Sequence, residues 1–239
     1  MENFFVKGFK RFLCLLFPKY ITCCFCKEEL EEKGLICGRC LKEISFIENG
    51  CGKCGSATVS GDYCVRCKSA SFNFERAVAV CDYDDFAKNI IYKFKTGEKY
   101  LFEPLGFLMK DKIEKSGLCV DLLAYVPVTA KVLKKRGYNQ SELLARYISK
   151  ELDLPCHGEF YKTKDSDFQK NITAAERRKN IKGVFKLKGD VKDKNILVID
   201  DVITTGSTLS ECARVFKNAG AKNVYGCAFA AVKAKIALY

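Results

Sequence analysis

Histidine is nearly missing: His157 is the single one in the chain, and no partner pattern surrounds it. Nucleophilic catalysis by a Ser/His or Cys/His pair is therefore disfavoured, and His157 reads as a loop residue. Long apolar runs are missing too. None is longer than Phe12 to Phe17, which is too short for a membrane span or a signal-peptide core. No GxxxxGK[ST] occurs, and the one GxGxxG, Gly50 to Gly55, spans a cysteine pair, so neither of these glycine-rich loops competes for a phosphate-binding role. No low-complexity tail is present, and the only internal repeat is a series of cysteine pairs.

A chain of 239 residues holds one sizeable domain and a small one. The hydrophobic share of 48% and charged share of 29% describe a globular protein. The formal charge is +12, and two tetrathiolate zinc sites would bring it to about +8. A basic protein favours anionic partners: phosphorylated substrates, nucleic acid or an acidic membrane surface.

Cysteine is abundant, with 15 residues. Eight of them form four successive CxxC pairs: Cys23/Cys26, Cys37/Cys40, Cys51/Cys54 and Cys64/Cys67. Two thiolates three residues apart can grip one ion from a tight turn, so the pattern predicts two structural Zn²⁺ sites of Cys₄ type rather than a disulfide framework. Near-equal gaps leave the pairing open, either sequential or interleaved. Cys14, Cys24, Cys81, Cys119, Cys156, Cys212 and Cys227 lie mostly in apolar contexts and are expected as small buried hydrophobes. The zinc reading implies a reducing, cytoplasmic compartment.

Residues 1–17 combine phenylalanines and leucines with Lys7, Lys10 and Arg11 and read as an amphipathic helix stopped by Pro18. Packing on the protein itself or on a partner is the favoured role, ahead of contact with a membrane surface. The organisation expected is an N-terminal helix with a double zinc module over residues 1–70 and an α/β domain over 71–239. In the latter, strands at 76–81, 122–127 and 224–232 alternate with helices at 84–94, 102–115, 141–151 and 208–219. That alternation predicts a mainly parallel sheet covered on both faces. The irregular, charged stretch 157–183 reads as a lid.

The most informative stretch is Ile196 to Thr208. Ile196 to Ile199 read as a strand buried on both faces. The strand ends in Asp200 and Asp201, and a loop of Thr204, Thr205, Gly206, Ser207 and Thr208 follows before a helix. Ligands of open α/β sheets bind at the carboxyl ends of strands, and a helix N-terminus offers unpaired N–H groups to a phosphate. Paired carboxylates accept hydrogen bonds from vicinal hydroxyls or recruit Mg²⁺. Gly206 lets the backbone approach closely.

This arrangement resembles the signature of type I phosphoribosyltransferases, which bind 5-phosphoribosyl-1-pyrophosphate. The resemblance implies that Asp200 and Asp201 meet the ribose hydroxyls directly or through Mg²⁺, and that Thr204 to Thr208 hold the 5-phosphate. The wider chain is similar to the competence protein F family, in which a cysteine-rich zinc module precedes a phosphoribosyltransferase-like domain. The CxxC series carries that similarity, with Phe94-Lys95-Thr96-Gly97, Val126-Pro127-Val128, Arg136-Gly137-Tyr138-Asn139-Gln140, Gln169, Glu176-Arg177, Asn180 and Gly183-Val184-Phe185. It implies that the loop after Pro127 faces pyrophosphate, with Lys131 and Arg136 as cations, and that Arg177 serves from the lid. Thr129 and Ala174 depart from the pattern that relatives often show. The family implies a part in DNA uptake, with single-stranded DNA and uptake-machinery proteins as partners and Tyr20 and Phe25 as candidate exposed aromatics for stacking. Transfer of the phosphoribosyl group and ligand sensing without catalysis both remain open readings.

Overall fold

The computed structural model describes residues 21–59, 63–163 and 181–233. The amphipathic segment 1–17, Tyr20, Gln169, Ala174, Glu176, Arg177 and Asn180 lie outside the described residues. The chain divides into two compact units, Met1–Glu43 and Ile44–Tyr239.

Among its described residues the smaller unit contains the first four of the paired cysteines and a short helix, α1 (Gly38–Glu43). The larger unit begins with the remaining pairs and the one-turn helix α2 (Val65–Ser69), then builds an α/β sheet. Its elements are β1 (Arg76–Asp82), α3 (Asp85–Lys95), α4 (Phe102–Lys115), β2 (Leu122–Tyr125), α5 (Ala130–Arg136) and α6 (Gln140–Leu152). They continue with β3 (Phe160–Lys162), β4 (Phe185–Leu187), β5 (Asn195–Ile203), α7 (Ser207–Asn218) and β6 (Asn223–Ala231).

The main sheet runs in the order β1-β6-β5-β2, and every pairing in it is parallel. Parallel strands need crossovers, and the helices that make them cover both faces, so the central strands are apolar along their length. Ile196, Leu197, Val198 and Ile199 are all fully buried. Ala77, Ala79, Ile196, Val198 and Ala228 share a core with Leu209, Cys212, Ala213 and Phe216 of α7. Residues of opposite parity, Val78, Val80, Leu197, Ile199, Cys227 and Phe229, are buried as well, as the period of two requires when both faces are covered.

Local chemistry sets the helix ends. The Asp84 carboxylate accepts from Ala87 N–H at 2.9 Å to start α3, whose buried Ala87, Ile90, Ile91 and Phe94 follow helical spacing. Thr129 caps α5, and Gly137, at φ +77°, ends it. Asn139 caps α6 through Ser141 N–H at 3.1 Å and also donates to the Val126 carbonyl at 3.0 Å. Within the expected lid, 157–183, β3 pairs antiparallel with β4, which lies just beyond it, with Phe160 opposite Leu187 and Lys162 opposite Phe185. No helix among the described residues is long and apolar enough to cross a membrane.

Candidate functional site

The cysteine pairs assemble in sequential order. Cys23, Cys26, Cys37 and Cys40 form one group and Cys51, Cys54, Cys64 and Cys67 another, with the sulfurs of each group all within 4.8 Å of one another. Backbone N–H groups point at sulfur in both: Cys37 N–H donates to Cys23 Sγ at 3.3 Å and Cys64 N–H to Cys51 Sγ at 3.3 Å. Four soft donors at this spacing fit a structural Zn²⁺. In the second group the hydrogen bond with Cys67 holds the Cys54 thiol down to about 3 against burial, with help from Ser56 and Arg66. Gly55, at φ +73°, lies so close to β1 that a Cβ there would stand 2.8 Å from the Ala77 carbonyl oxygen.

Most other cysteines are buried, as expected. Burial pushes the thiols of Cys81, Cys212 and Cys227 up, the last to about 12, which keeps them neutral and inert. Cys119 departs from the expectation. It is exposed, in the loop that follows α4 and Gly117. Cys156 is half-buried, and Cys14 lies outside the described residues. Phe25 also departs: it is 3% exposed, so it offers no stacking face, because it sits inside the first zinc knuckle with its N–H donated to Cys23 Sγ at 3.4 Å. His157 lies in a loop, with Nε2 2.8 Å from the Lys188 carbonyl oxygen.

At the carboxyl end of β5 a cavity of about 340 Å³ opens, lined by Asp200, Asp201, Thr204 and Thr208 together with Lys95, Arg136, Gln140, Ser141 and Lys162. Asp200 Oδ1 accepts from Ser141 Oγ at 3.0 Å and from the Asp201 N–H at 2.9 Å. Asp201 Oδ2 pairs with Lys95 Nζ at 2.7 Å. Burial, and then the Asp201 carboxylate, push the Asp200 carboxyl up to about 7 against the pull of Lys95. Although burial works against its charge, Lys95 is held above its ordinary value by Asp201 and then Asp200.

The loop after β5 is shaped by its small residues. Gly206 takes φ +77°, a conformation that side chains with a Cβ resist. Thr205 Oγ1 and Ser207 Oγ lie 2.9 Å apart, and Ser210 N–H returns to the Gly206 carbonyl at 2.9 Å to begin α7. On the other side, Arg136 closes α5 and donates to Gln140 Oε1 at 3.1 Å, while Gln140 Nε2 is buried with no partner.

Of the residues singled out from sequence, the structure brings Asp200, Asp201, Thr204, Thr208 and Arg136 to one cavity. Thr205, Gly206 and Ser207 form the turn between Thr204 and Thr208. Lys131 is exposed at the start of α5 and stands outside the lining, because five residues separate it from Arg136 and so turn the two about 140° apart around the helix axis. Sequence reasoning did not assign Lys95, Gln140, Ser141 or Lys162 to the site. A signal existed for the first three, which belong to or adjoin the segments similar to competence protein F. Lys162 carried none.

Two family models match the chain: the phosphoribosyl transferase domain over residues 133–237 and the double zinc ribbon domain over residues 12–68. Competence protein F of Haemophilus influenzae is 28% identical over 214 residues, covering 84% of this chain and 93% of that relative. The DNA utilization protein YhgH of Escherichia coli O157:H7 is 30% identical over 197 residues, covering 79% of this chain and 87% of the relative. Among solved structures, a purine phosphoribosyltransferase from Pyrococcus horikoshii aligns over 53% of this chain and 70% of its own, at 23% identity and a TM-score of 0.34.

Proposed function

The chain belongs to the family of competence protein F and the DNA utilization protein YhgH, and from that premise we propose that it binds 5-phosphoribosyl-1-pyrophosphate in the cavity at the end of β5. Its fold is of the phosphoribosyltransferase type, a parallel sheet between helices, with an N-terminal double zinc ribbon module. In functional terms residues 1–70 form the zinc-binding module and residues 71–239 the phosphoribosyltransferase-like domain. The second cysteine group shares its compact unit with the sheet.

One observation carries the reading: two adjacent carboxylates at a strand end are followed at once by a glycine-turned hydroxyl loop that opens a helix, with Lys95, Arg136 and Lys162 in the same cavity. Asp200 and Asp201 would accept from the ribose hydroxyls, and their hard oxygen donors suit Mg²⁺. The N–H groups of the 204–208 loop and the first turn of α7 would receive the 5-phosphate. Arg136 and Lys162, and Arg177 from the lid, would meet the pyrophosphate. If transfer occurs, these residues work by positioning and electrostatics, with Mg²⁺ supplying charge neutralisation at the pyrophosphate when bound. The protein then acts in the cytoplasm as a transferase, or as a sensor of the same ligand without turnover.

The test is calorimetric titration with phosphoribosyl pyrophosphate, with and without Mg²⁺, followed by an acceptor screen. Absence of saturable, Mg²⁺-dependent binding would remove the reading. A second role, handling of single-stranded DNA during uptake, is supported by the names of the two relatives and by the net charge of +12. A salt-dependent mobility shift of labelled single-stranded DNA tests it.

A further inference from the structure

Arg66 lies between two ligands of the second cysteine group, Cys64 and Cys67, on the one-turn helix α2. Its guanidinium is shared between that group and the loop that follows β5. One Nη2–H donates to Ser56 Oγ at 2.9 Å and toward Cys54 Sγ at 3.4 Å, and Nη1–H donates to the Thr204 carbonyl. Ser56 is fully buried and its hydroxyl also reaches the Val232 carbonyl at 3.1 Å, just past β6. The anchor end of the bridge is therefore fixed to the sheet.

The geometry points to Arg66 as a positioning residue through which the metal-loaded second cysteine group sets the conformation of the 204–208 loop and thereby its affinity for a sugar 5-phosphate. In a trans peptide the carbonyl and the following N–H point in opposite directions. Holding the Thr204 carbonyl toward Arg66 thus turns the Thr205 N–H away from it, and Arg66 is not among the residues lining the cavity. A loop that must present donors to a phosphate needs its acceptors satisfied from behind. Arg66 does this with a planar, multi-donor head that one ammonium could not reproduce.

The chain leaving α2 braces the same loop at its other end. The Phe72 ring lies 3.1 Å from where a Cβ on Gly206 would stand. Asn73 donates from its backbone N–H to Ser210 Oγ at 3.0 Å and from Nδ2 to the Ser210 carbonyl at 3.1 Å. Four thiolates around one ion immobilise residues 64–67. Without the ion those restraints go, and Arg66 loses the fixed base from which it reaches Thr204.

This inference rests on the phosphoribosyl pyrophosphate reading for its ligand but not for its structural part, and the experiment separates the two. Full-length protein, Arg66→Ala and Arg66→Lys are compared by zinc content, by hydrogen exchange of the backbone amides of 205–210, and by calorimetry with phosphoribosyl pyrophosphate and Mg²⁺. The lysine variant keeps a cation beside the thiolates but cannot bridge both sides. In both variants we expect about two zinc ions per chain, protection lost at 205–210 but kept in β5 and β6, and binding weakened on the order of tenfold, as for one charge-assisted hydrogen bond. Unchanged loop protection or unchanged affinity in a zinc-loaded variant overturns the positioning role. So does loss of zinc or of protection throughout the sheet in both variants, which would make Arg66 a part of the knuckle's fold. If the unsubstituted protein binds no phosphoribosyl pyrophosphate, the ligand reading fails, and the exchange data alone then decide whether Arg66 orders the loop.

Discussion

Lys95, the last residue of α3, stands 2.7 Å from Asp201, the second acid of β5, within the lining of one cavity. The pair joins the first strand–helix unit of the sheet to the strand end that carries the carboxylates. Tyr138 secures the helix end by donating its hydroxyl to the Phe94 carbonyl. Lys95 thus offsets the repulsion between two adjacent acids, and a bound cation or ribose would compete with it for Asp201.

Lys95→Met should lower stability by about 1–3 kcal/mol near pH 8, since it leaves a mostly buried carboxylate without its partner. Because Lys95 is held above its ordinary value in the folded protein, its contribution is complete below that value and is lost only as pH rises through the higher, folded one. The penalty should shrink toward pH 5, where Asp200, its carboxyl pushed up to about 7, holds a proton and one of the two negative charges beside Lys95 is gone. Urea denaturation at both pH values measures it, and an equal loss at each would contradict the pairing.

Asp200 supplies a pH dependence of opposite use. Its carboxyl rises from the ordinary 3.8 to about 7 in the folded chain. Between those values the folded state binds a proton that the unfolded state does not, so this group costs stability as pH rises through that window. A ligand that needs the carboxylate as acceptor should bind more tightly as pH rises through 7, with proton release below it. Calorimetry in buffers of different ionisation enthalpy reads the release. An affinity flat from pH 6 to 8, or a release unchanged in Asp200→Asn, would argue against Asp200 as a ligand contact.

Parts of this architecture were legible from local pattern and parts were not. Ile196 to Ile199 announced a buried strand because both faces are covered. β5 runs on to Ile203 since β6 continues to pair beyond the acids, with Asp200 opposite Ala228 and Val202 opposite Ala230. The zinc ligands were legible because a CxxC turn is local, whereas their sequential grouping depends on how the chain folds back between turns. Helix α5 buries none of its residues and so has no apolar stripe; its signals were the Thr129 cap and the Gly137 stop. The β3–β4 pair consists of three-residue strands joined across a long separation, which no short-range pattern marks. Arg66 looked like any basic residue within a cysteine knuckle, and its role depends on a contact 138 positions away in sequence.

The purified protein should carry about two Zn²⁺ per chain, one for each cysteine group. Elemental analysis after reducing, metal-replete preparation decides it. A value near zero would remove the zinc module, and a value near one would mean that one group is not occupied. Because the sites form only in the folded chain, a strong chelator should also lower the melting temperature.

Asp200→Asn combined with Asp201→Asn should nearly abolish Mg²⁺-dependent binding of phosphoribosyl pyrophosphate while the protein stays folded. The double change removes the negative charge and half the acceptor capacity at the strand end, and it relieves the repulsion that raises Asp200. Circular dichroism verifies the fold and calorimetry the binding. Wild-type affinity in the double variant would refute the proposed ribose and metal contacts.

Gly206→Val separates the two ligands that the family suggests. Gly206 sits at φ +77°, and a Cβ there would approach the Phe72 ring to 3.1 Å. Valine adds β-branching to that strain, so the loop must rearrange at a cost of about 1–3 kcal/mol, and the N–H groups that would receive the 5-phosphate move with it. Phosphoribosyl pyrophosphate binding should fall sharply. Single-stranded DNA, if it is held by dispersed lysines and arginines, should be retained with its steep salt dependence intact, because counterion release follows the number of phosphate contacts rather than the shape of one loop. The two affinities are measured on the same folded preparation, by calorimetry and by fluorescence anisotropy across a salt series. Equal loss of both would place the nucleic acid in the same cradle as the sugar phosphate, and the idea of two separate sites would have to be abandoned.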